Sequence, residues 1–317
     1  MPPSKYSDDS AAPIVHRTAW HEIGMGDYKA RICVRQWLPA SETGPILIAI
    51  HKLTGSGLDF EFIGERLAAA GWQVICPDLP GHGDSTQFNV QEAYSTGNMS
   101  RALATVFNIY ARGGQSVSLL GTSWSGAAIL LFLAAFRLPV RALIVNDIAF
   151  EYDPFLDHYN KSHRENWSRR FGSIEEARQV LMERSAGVFR QHDGDRIDPD
   201  ILRRNLDAQI VRTPEGAYRF NYDANFVQPG RVLPNHYPNF TRVMASIRTN
   251  SILLMFGENS PFKNTATVQR LRRDDRRIEY VEIPGAGHSP RLLTEGEADI
   301  VRDFLQRQRA ARQVSAP

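Results

Sequence analysis

Gly121-Thr122-Ser123-Trp124-Ser125-Gly126 follows the apolar, β-rich run Ser116 to Leu120 and opens the apolar, helically spaced run Ala127 to Phe136. A serine between a strand and a helix, with small residues two positions before and two after, has the pattern of a nucleophile elbow. Bulky side chains at the two flanking positions clash in so tight a turn. The tightness lifts the serine hydroxyl above the sheet and leaves the next backbone N–H free to bind an oxyanion. The usual spelling is G-x-S-x-G; here Ser125 fills the second small position and Gly126 comes one later. The bare pentapeptide also suits a plain turn with a capping serine, and the strand and helix flanks are what make it specific.

Outward from the elbow, strand-like and helix-like segments alternate. Ala30 to Leu38, Pro45 to His51, Trp72 to Cys76 and Ala142 to Asn146 read as strands, Phe60 to Ala70 and Met99 to Ala111 as helices. Gly71 caps the first of these helices and Gly113-Gly114 stops the second. Such alternation indicates an α/β protein with a mostly parallel sheet covered on both faces. The rhythm breaks after Asp147. It resumes with Ser251 to Phe256 (strand), Thr265 to Arg272 (helix), Ile278 to Ile283 (strand) and Glu295 to Gln306 (helix). The expected division is a flexible N-terminus over 1–15, an α/β core over 16–147 and 249–310, and a mainly helical lid over 148–248. Ser173-Ile174-Glu175-Glu176 has the capping-box pattern and opens one lid helix.

The chain has 317 residues, 42% hydrophobic and 23% charged, enough for one large α/β domain with an insertion. A formal net charge of +2 gives no reason to expect nucleic acid or an anionic membrane as partner. The basic cluster Arg270, Arg272, Arg273, Arg276 and Arg277 is interrupted by Asp274 and Asp275 and reads as a solvated helix end. Cys33 and Cys76 lie in strand-like runs and read as buried free thiols, with no disulfide framework and no metal site. Met1 to Pro13 is polar and proline-rich, unlike a signal peptide. No apolar run reaches the roughly 18 residues of a membrane span. A cytoplasmic setting is the expectation.

Serine needs a base beside it to act as a nucleophile. His288, in Gly285-Ala286-Gly287-His288-Ser289-Pro290, is the candidate: it follows a strand, precedes the last helix, and comes after the serine in a known chain order. A third group, a carboxylate, should orient the imidazole. Asp147 ends a buried strand one strand over from Ser123 and is preferred. Glu258, the only acid in the loop after Ser251 to Phe256, is the alternative. The oxyanion requires two backbone N–H donors. Trp124, after the nucleophile, is one; Leu53, in His51-Lys52-Leu53-Thr54-Gly55-Ser56-Gly57, is the other.

These residues resemble the α/β-hydrolase superfamily, in its lid-bearing esterase, C–C hydrolase and dehalogenase-like branch, over about residues 30 to 308. His51 to Gly57 resembles the oxyanion loop, Asp78-Leu79-Pro80-Gly81-His82-Gly83-Asp84-Ser85 the D-x-x-G-x-G-x-S turn, Gly121 to Gly126 the elbow, and Gly287-His288 the base. Asn146-Asp147-Ile148 and the lid segment Pro214 to Asp223 are similar to a bacterial subgroup assigned as esterases. The resemblance implies an eight-stranded α/β-hydrolase sheet with the lid inserted after the sixth strand. It implies a small ester or lactone as substrate, and no cofactor. Three departures stand out. Lys52 occupies a position where relatives usually have glycine, and either points into solvent or attracts substrates bearing a carboxylate. The acid is missing near Ser260 and Pro261, where relatives carry aspartate. Ser123 is not the aspartate nucleophile of a haloalkane dehalogenase. A β-diketone-type C–C hydrolase shares the same triad and stays open, as does a non-hydrolytic use of the fold as a ligand receptor or lyase. Among the lid aromatics (Phe150, Tyr152, Phe155, Tyr159, Trp167, Phe171, Phe189, Tyr218, Phe220, Tyr222 and Phe226), some are expected to line an apolar pocket and most to form the core of the lid.

Overall fold

The computed structural model describes residues 13–313 except 89, 112–116, 154, 157–160, 162–164, 166–167, 188–189, 194–195 and 228–236. The chain opens with two long antiparallel strands, β1 (Ile14–Met25) and β2 (Tyr28–Pro39). Sequence pattern marks only part of β2 and none of β1. The reason is β1's position at the sheet edge, where much of its surface is solvated and no continuous apolar run is required.

The α/β rhythm then runs β3 (Ile46–Ile50), α1 (Glu61–Ala69), β4 (Gln73–Pro77), α2 (Thr96–Tyr110), β5 (Val117–Thr122), α3 (Trp124–Phe136) and β6 (Val140–Asn146). β3 and β5 are buried along their whole length, which is why they read as unbroken apolar runs. The start of the strand reading at Ser116 and the Gly113-Gly114 stop lie outside the described residues, as does the lead-in over residues 1–12.

Between β6 and the next core strand lies the insertion: α4 (Ile174–Gly187), α5 (Pro199–Asp207), a hairpin of β7 (Ile210–Arg212) and β8 (Tyr218–Phe220), and α6 (Phe240–Ser246). The hairpin goes unread in the sequence because each strand is three residues long. Ser173 Oγ accepts from Glu176 N, while the Glu176 carboxylate reaches Gly172 N. The core closes with β9 (Thr249–Gly257), α7 (Thr265–Asp274), β10 (Ile278–Ile283) and α8 (Glu295–Gln313).

The eight core strands form one sheet in the order β1-β2-β4-β3-β5-β6-β9-β10, parallel from β4 to β10. The chain passes from β3 to β4 in one direction and from β4 over to β5 in the other. Right-handed crossovers in opposite directions put their helices on opposite faces. Accordingly α1 packs with α8, and α2 packs with α3. The reversal makes the gap between the C-terminal ends of β3 and β5 a topological switch point, where ligands of open α/β sheets bind.

The insertion is tied to the core along two seams. Asp223 N donates to Gly81 O (2.6 Å), Asn221 O accepts from Gly83 N (3.1 Å), and Tyr94 Oη donates to Asp223 Oδ2 (2.5 Å). Elsewhere Arg196 pairs with Glu297 at 2.7 Å and Arg291 pairs with Asp193, with Glu297 and Asp193 almost fully buried.

Candidate active site

The elbow forms where β5 meets α3. Ser123 has φ 57° and ψ −124°, a conformation L-residues rarely adopt. The surrounding packing holds it there. A Cβ on Gly121 would lie 2.7 Å from the Gly126 backbone, and one on Gly126 would lie 2.9 Å from Ile148 Cγ2. Ser125, in place of the usual glycine, is buried and accepts from Thr122 N (2.9 Å) while donating to Ile50 O (2.7 Å). It thus laces the elbow to the end of β3.

Ser123 Oγ is 2.8 Å from His288 Nε2, and His288 Nδ1 is 3.0 Å from Asp147 Oδ1. All three residues are buried, Asp147 completely. Asp147 follows β6 directly, with φ 62°, while its N–H continues the ladder to Met255 O at 2.8 Å. That bend turns its carboxylate toward the end of β9 and the histidine loop. There Oδ2 accepts from Gly257 N and Ser289 N, both at 3.1 Å, and Oδ1 accepts from Ser260 Oγ at 2.7 Å. Gly257 permits the approach of the two loops, since a Cβ on it would lie 1.9 Å from Gly287 O. With the carboxylate accepting at Oδ1, the proton of the neutral imidazole belongs on Nδ1 and the lone pair on Nε2 faces Ser123.

Sequence pattern alone does not reveal Ser289. Its Oγ lies 3.0 Å from the same His288 Nε2. One lone pair accepts one proton, so two hydroxyls share this acceptor. Adjacency to His288 was the available signal, but the φ of 63° that folds Ser289 back onto the ring cannot be read from residue types.

Glu258 is not brought to His288. Its carboxylate is exposed and accepts from Gly285 N at 2.8 Å, bracing the histidine loop from behind. Trp124 is the first residue of α3, where amide N–H groups have no partner within the helix. Leu53 is a central residue of the turn closed by Gly55 N to Lys52 O (3.0 Å), so its own amide takes no part in the turn bond. Two buried histidines hold this loop. His51 Nδ1 donates to Lys52 O (2.8 Å) and its Nε2 accepts from Leu79 N (3.0 Å), while His82 Nε2 donates to Leu53 O (2.7 Å). Burial pulls their pKa values down from 6.5 to about 4 for His51 and about 3 for His82, so both stay neutral.

Two pockets flank His288. One is lined by Ser123, Trp124, Ala127, Ile148, Ala149, Leu156, Tyr237 and Phe262, and is largely apolar. The other is polar and contains Lys52, Arg184 and Arg291. Leu53 and His288 border both. Lys52 Nζ pairs with Asp59 Oδ2 at 2.9 Å, and burial pulls its pKa down against that attraction. Several of the lid aromatics pack as core. Phe226 stands edge-on to His82, Tyr94 and Trp124, Phe220 lies against Phe171 and Tyr222, and Phe155 lies against Phe262. Tyr237 and Leu156 take the lining positions. Tyr159, Trp167 and Phe189 lie outside the described residues.

A wider cleft lies between α1 and α5, bordered by Arg66, Arg196 and Arg204, and touches none of Ser123, His288 and Asp147. Among the described residues, one group of metal-ligating side chains comes together, Cys33, Asp78 and Asp84. A cation is already built in: Arg35 Nη2 lies 2.6 Å from Asp84 and 3.6 Å from Asp78, and Asp78 also accepts from Gly57 N and Asp84 N. Cys33 and Cys76 are buried free thiols. No described helix is long and apolar enough to cross a membrane.

Comparison with known proteins agrees with this architecture. The chain is 24% identical to the 3-hydroxybutyrate-oligomer hydrolase of Cupriavidus necator over 300 residues, covering 92% of this chain and 93% of that protein. A crystal structure of a putative hydrolase from Rickettsia typhi superposes with a TM-score of 0.78 at 18% identity, covering 92% of this chain and 99% of that one. An alpha/beta hydrolase from Novosphingobium aromaticivorans superposes with a TM-score of 0.74 at 23% identity, covering 92% and 98%. The model of the alpha/beta hydrolase fold family matches residues 45–293, from β3 through the histidine loop, and the chain belongs to that family.

Proposed function

We propose that this hydrolase cleaves a carboxylic ester or lactone through an acyl-enzyme on Ser123. The observation that carries this reading is the continuous series Ser123 Oγ, His288 Nε2, His288 Nδ1, Asp147 Oδ1, at 2.8 and 3.0 Å, set beside the N-terminus of α3. His288 takes the Ser123 proton as Oγ attacks the carbonyl carbon. The amides of Trp124 and Leu53 receive the oxyanion of the tetrahedral intermediate. His288 then gives the proton to the leaving alkoxide. In the second half, His288 takes a proton from water, the hydroxide attacks the acyl carbon, and Ser123 leaves with the proton restored. Asp147 holds the imidazole in its Nδ1–H tautomer and stabilises the imidazolium. These steps use only the chain's own groups and water.

The insertion over 148–248 acts as the lid in this reading, since Leu156 and Tyr237 complete the apolar pocket. The 3-hydroxybutyrate-oligomer hydrolase, to which the chain is similar along 92% of its length, bears the name of an enzyme of oligomeric esters and supports ester cleavage here.

The test is hydrolysis of p-nitrophenyl butyrate by folded wild type, Ser123→Ala, Asp147→Asn and Glu258→Gln. Turnover that vanishes in Ser123→Ala and Asp147→Asn but survives in Glu258→Gln is the expected result. A folded wild type that leaves this and other short esters intact overturns ester hydrolysis.

A further inference from the structure

The two pockets beside His288 differ in chemistry. On the Phe262 and Ile148 side the lining is apolar. On the other side it combines Lys52, Arg184 and Arg291 with the neutral donors Thr54, Gln191 and Gln209. Arg291 spends its donors within the fold: Nε on Asp193, Nη1 on Asn205 Oδ1 at 3.2 Å, and Nη2 on Ser185 Oγ at 2.9 Å. Its charge is met by the buried Asp193, and it serves the pocket as a wall. Lys52 gives one hydrogen bond to Asp59, and an ammonium carries three donors. Arg184 comes from α4, is largely buried, and lies over the Phe220 ring with Cζ 5.8 Å from the centroid. A guanidinium is planar and carries its donors in a fork that matches a carboxylate.

We propose that the polar pocket receives a carboxylate of the substrate, with Lys52 and Arg184 as its contacts. The substrate class is then an ester that carries a carboxylate a few bonds from the scissile carbonyl, with an apolar group on the other side. This inference rests on the ester-hydrolase reading above. Two sources of that carboxylate fit the same pocket: the acyl part, as in a monoester of a dicarboxylic acid, and the alcohol part, as in an acylated hydroxy acid. Cations buried beside the reacting imidazole gain more from such an anion than surface cations do, because water screens them less.

The experiment measures kcat/KM on two matched pairs. The first is p-nitrophenyl hemiglutarate against p-nitrophenyl valerate, which places the carboxylate on the acyl side. The second is 3-butyryloxybutyrate against its methyl ester, with butyrate release measured, which places it on the alcohol side. A charge-assisted hydrogen bond is worth about ten-fold to a hundred-fold. Wild type should favour the anionic member of one pair by at least about ten-fold, and the favoured pair names the source. Arg184→Met and Lys52→Met should each lower that anionic-to-neutral ratio by about ten-fold, while Arg184→Lys retains only part of it, because an ammonium lacks the planar fork. Glutarate should compete with the neutral ester in wild type, less well in Lys52→Met, and less well at high salt. Lys52→Met keeps the test open if Arg184→Met does not fold. Equal turnover of both members of both pairs overturns the pocket assignment and leaves the ester-hydrolase reading standing. Inertness toward all four esters overturns that reading, and the pocket assignment with it.

Discussion

Ser260 Oγ sits 2.7 Å from Asp147 Oδ1, the same oxygen that faces His288 Nδ1 at 3.0 Å. Residue 260 lies in the loop after β9, where the family resemblance leads one to expect an acid. In the proposed mechanism the acid stands after β6, and the serine at the other place donates to it. Asp147 therefore accepts from three backbone or side-chain donors besides the imidazole. A carboxylate so surrounded is fixed in orientation.

Ser260→Ala should lower kcat/KM about ten-fold, the effect of one hydrogen bond to a charged group. Ser260→Thr should restore most of it, because the hydroxyl returns. Asp147→Asn removes the charge and should lower kcat by about 10⁴. Glu258→Gln should stay within about two-fold, as exposed substitutions do. Steady-state kinetics on one ester compares all four; a collapse in Glu258→Gln would reassign the acid.

Ser289 competes with Ser123 for the His288 lone pair. Releasing that competition in Ser289→Ala should raise kcat/KM by up to about five-fold, the worth of one neutral hydrogen bond. A fluorophosphonate should label Ser123 and leave Ser289 unmodified, because Ser123 stands at the N-terminus of α3. Peptide mass mapping reads the label, and a fall of more than about ten-fold in the variant would mean that Ser289 takes part in the reaction.

Ser125→Ala should destabilise the protein by about 1–3 kcal/mol, since Thr122 N and Ile50 O each lose a buried partner. Gly121→Ala should cost more. Its Cβ would press on backbone at 2.7 Å, and backbone cannot rotate away as a side chain can. Urea unfolding of the two variants gives the order; equal stability would mean that the elbow relaxes freely.

Acid should loosen the fold through the two histidines beneath the oxyanion loop. Burial lowers His51 to about 4 and His82 to about 3, so below the ordinary value of 6.5 the unfolded chain binds protons that the folded one does not. Their contribution is complete above that pH and is lost as pH falls toward the folded values. Each costs about 1.4 kcal/mol per pH unit, about 5 kcal/mol together between pH 6.5 and 4.5. His82→Gln should flatten the pH dependence of the unfolding free energy by half of that slope. An unchanged slope would show that carboxylates, and not these rings, control it.

Much of this was legible because it follows from local pattern. The buried strands β3, β5 and β6 are unbroken apolar runs, and the elbow, the Asp78 to Ser85 turn and the His288 loop each carry their glycines in order. Asp147 was readable as the residue that ends β6. What stayed hidden depends on how distant segments dock. Arg184 lies on a helix of the insertion and reaches the pocket only through tertiary packing, so its local sequence carries no mark. Lid aromatics such as Phe226 and Phe220 serve packing, because composition cannot separate a pocket wall from a core. The β7–β8 hairpin is too short to show a period.

The two ion pairs that join the insertion to the core have a mechanical meaning. Arg291, on Asp193, is three residues past His288, and Glu297, on Arg196, is nine past it. The cover over the pocket and the histidine are thus fastened to the same short stretch of chain. Any movement that swings Asp193 and Arg196 outward must either break two buried charge pairs or drag the imidazole from its place between serine and aspartate. In the proposed reaction, admission of a substrate and the seating of the base would thus be mechanically linked through residues 288–297.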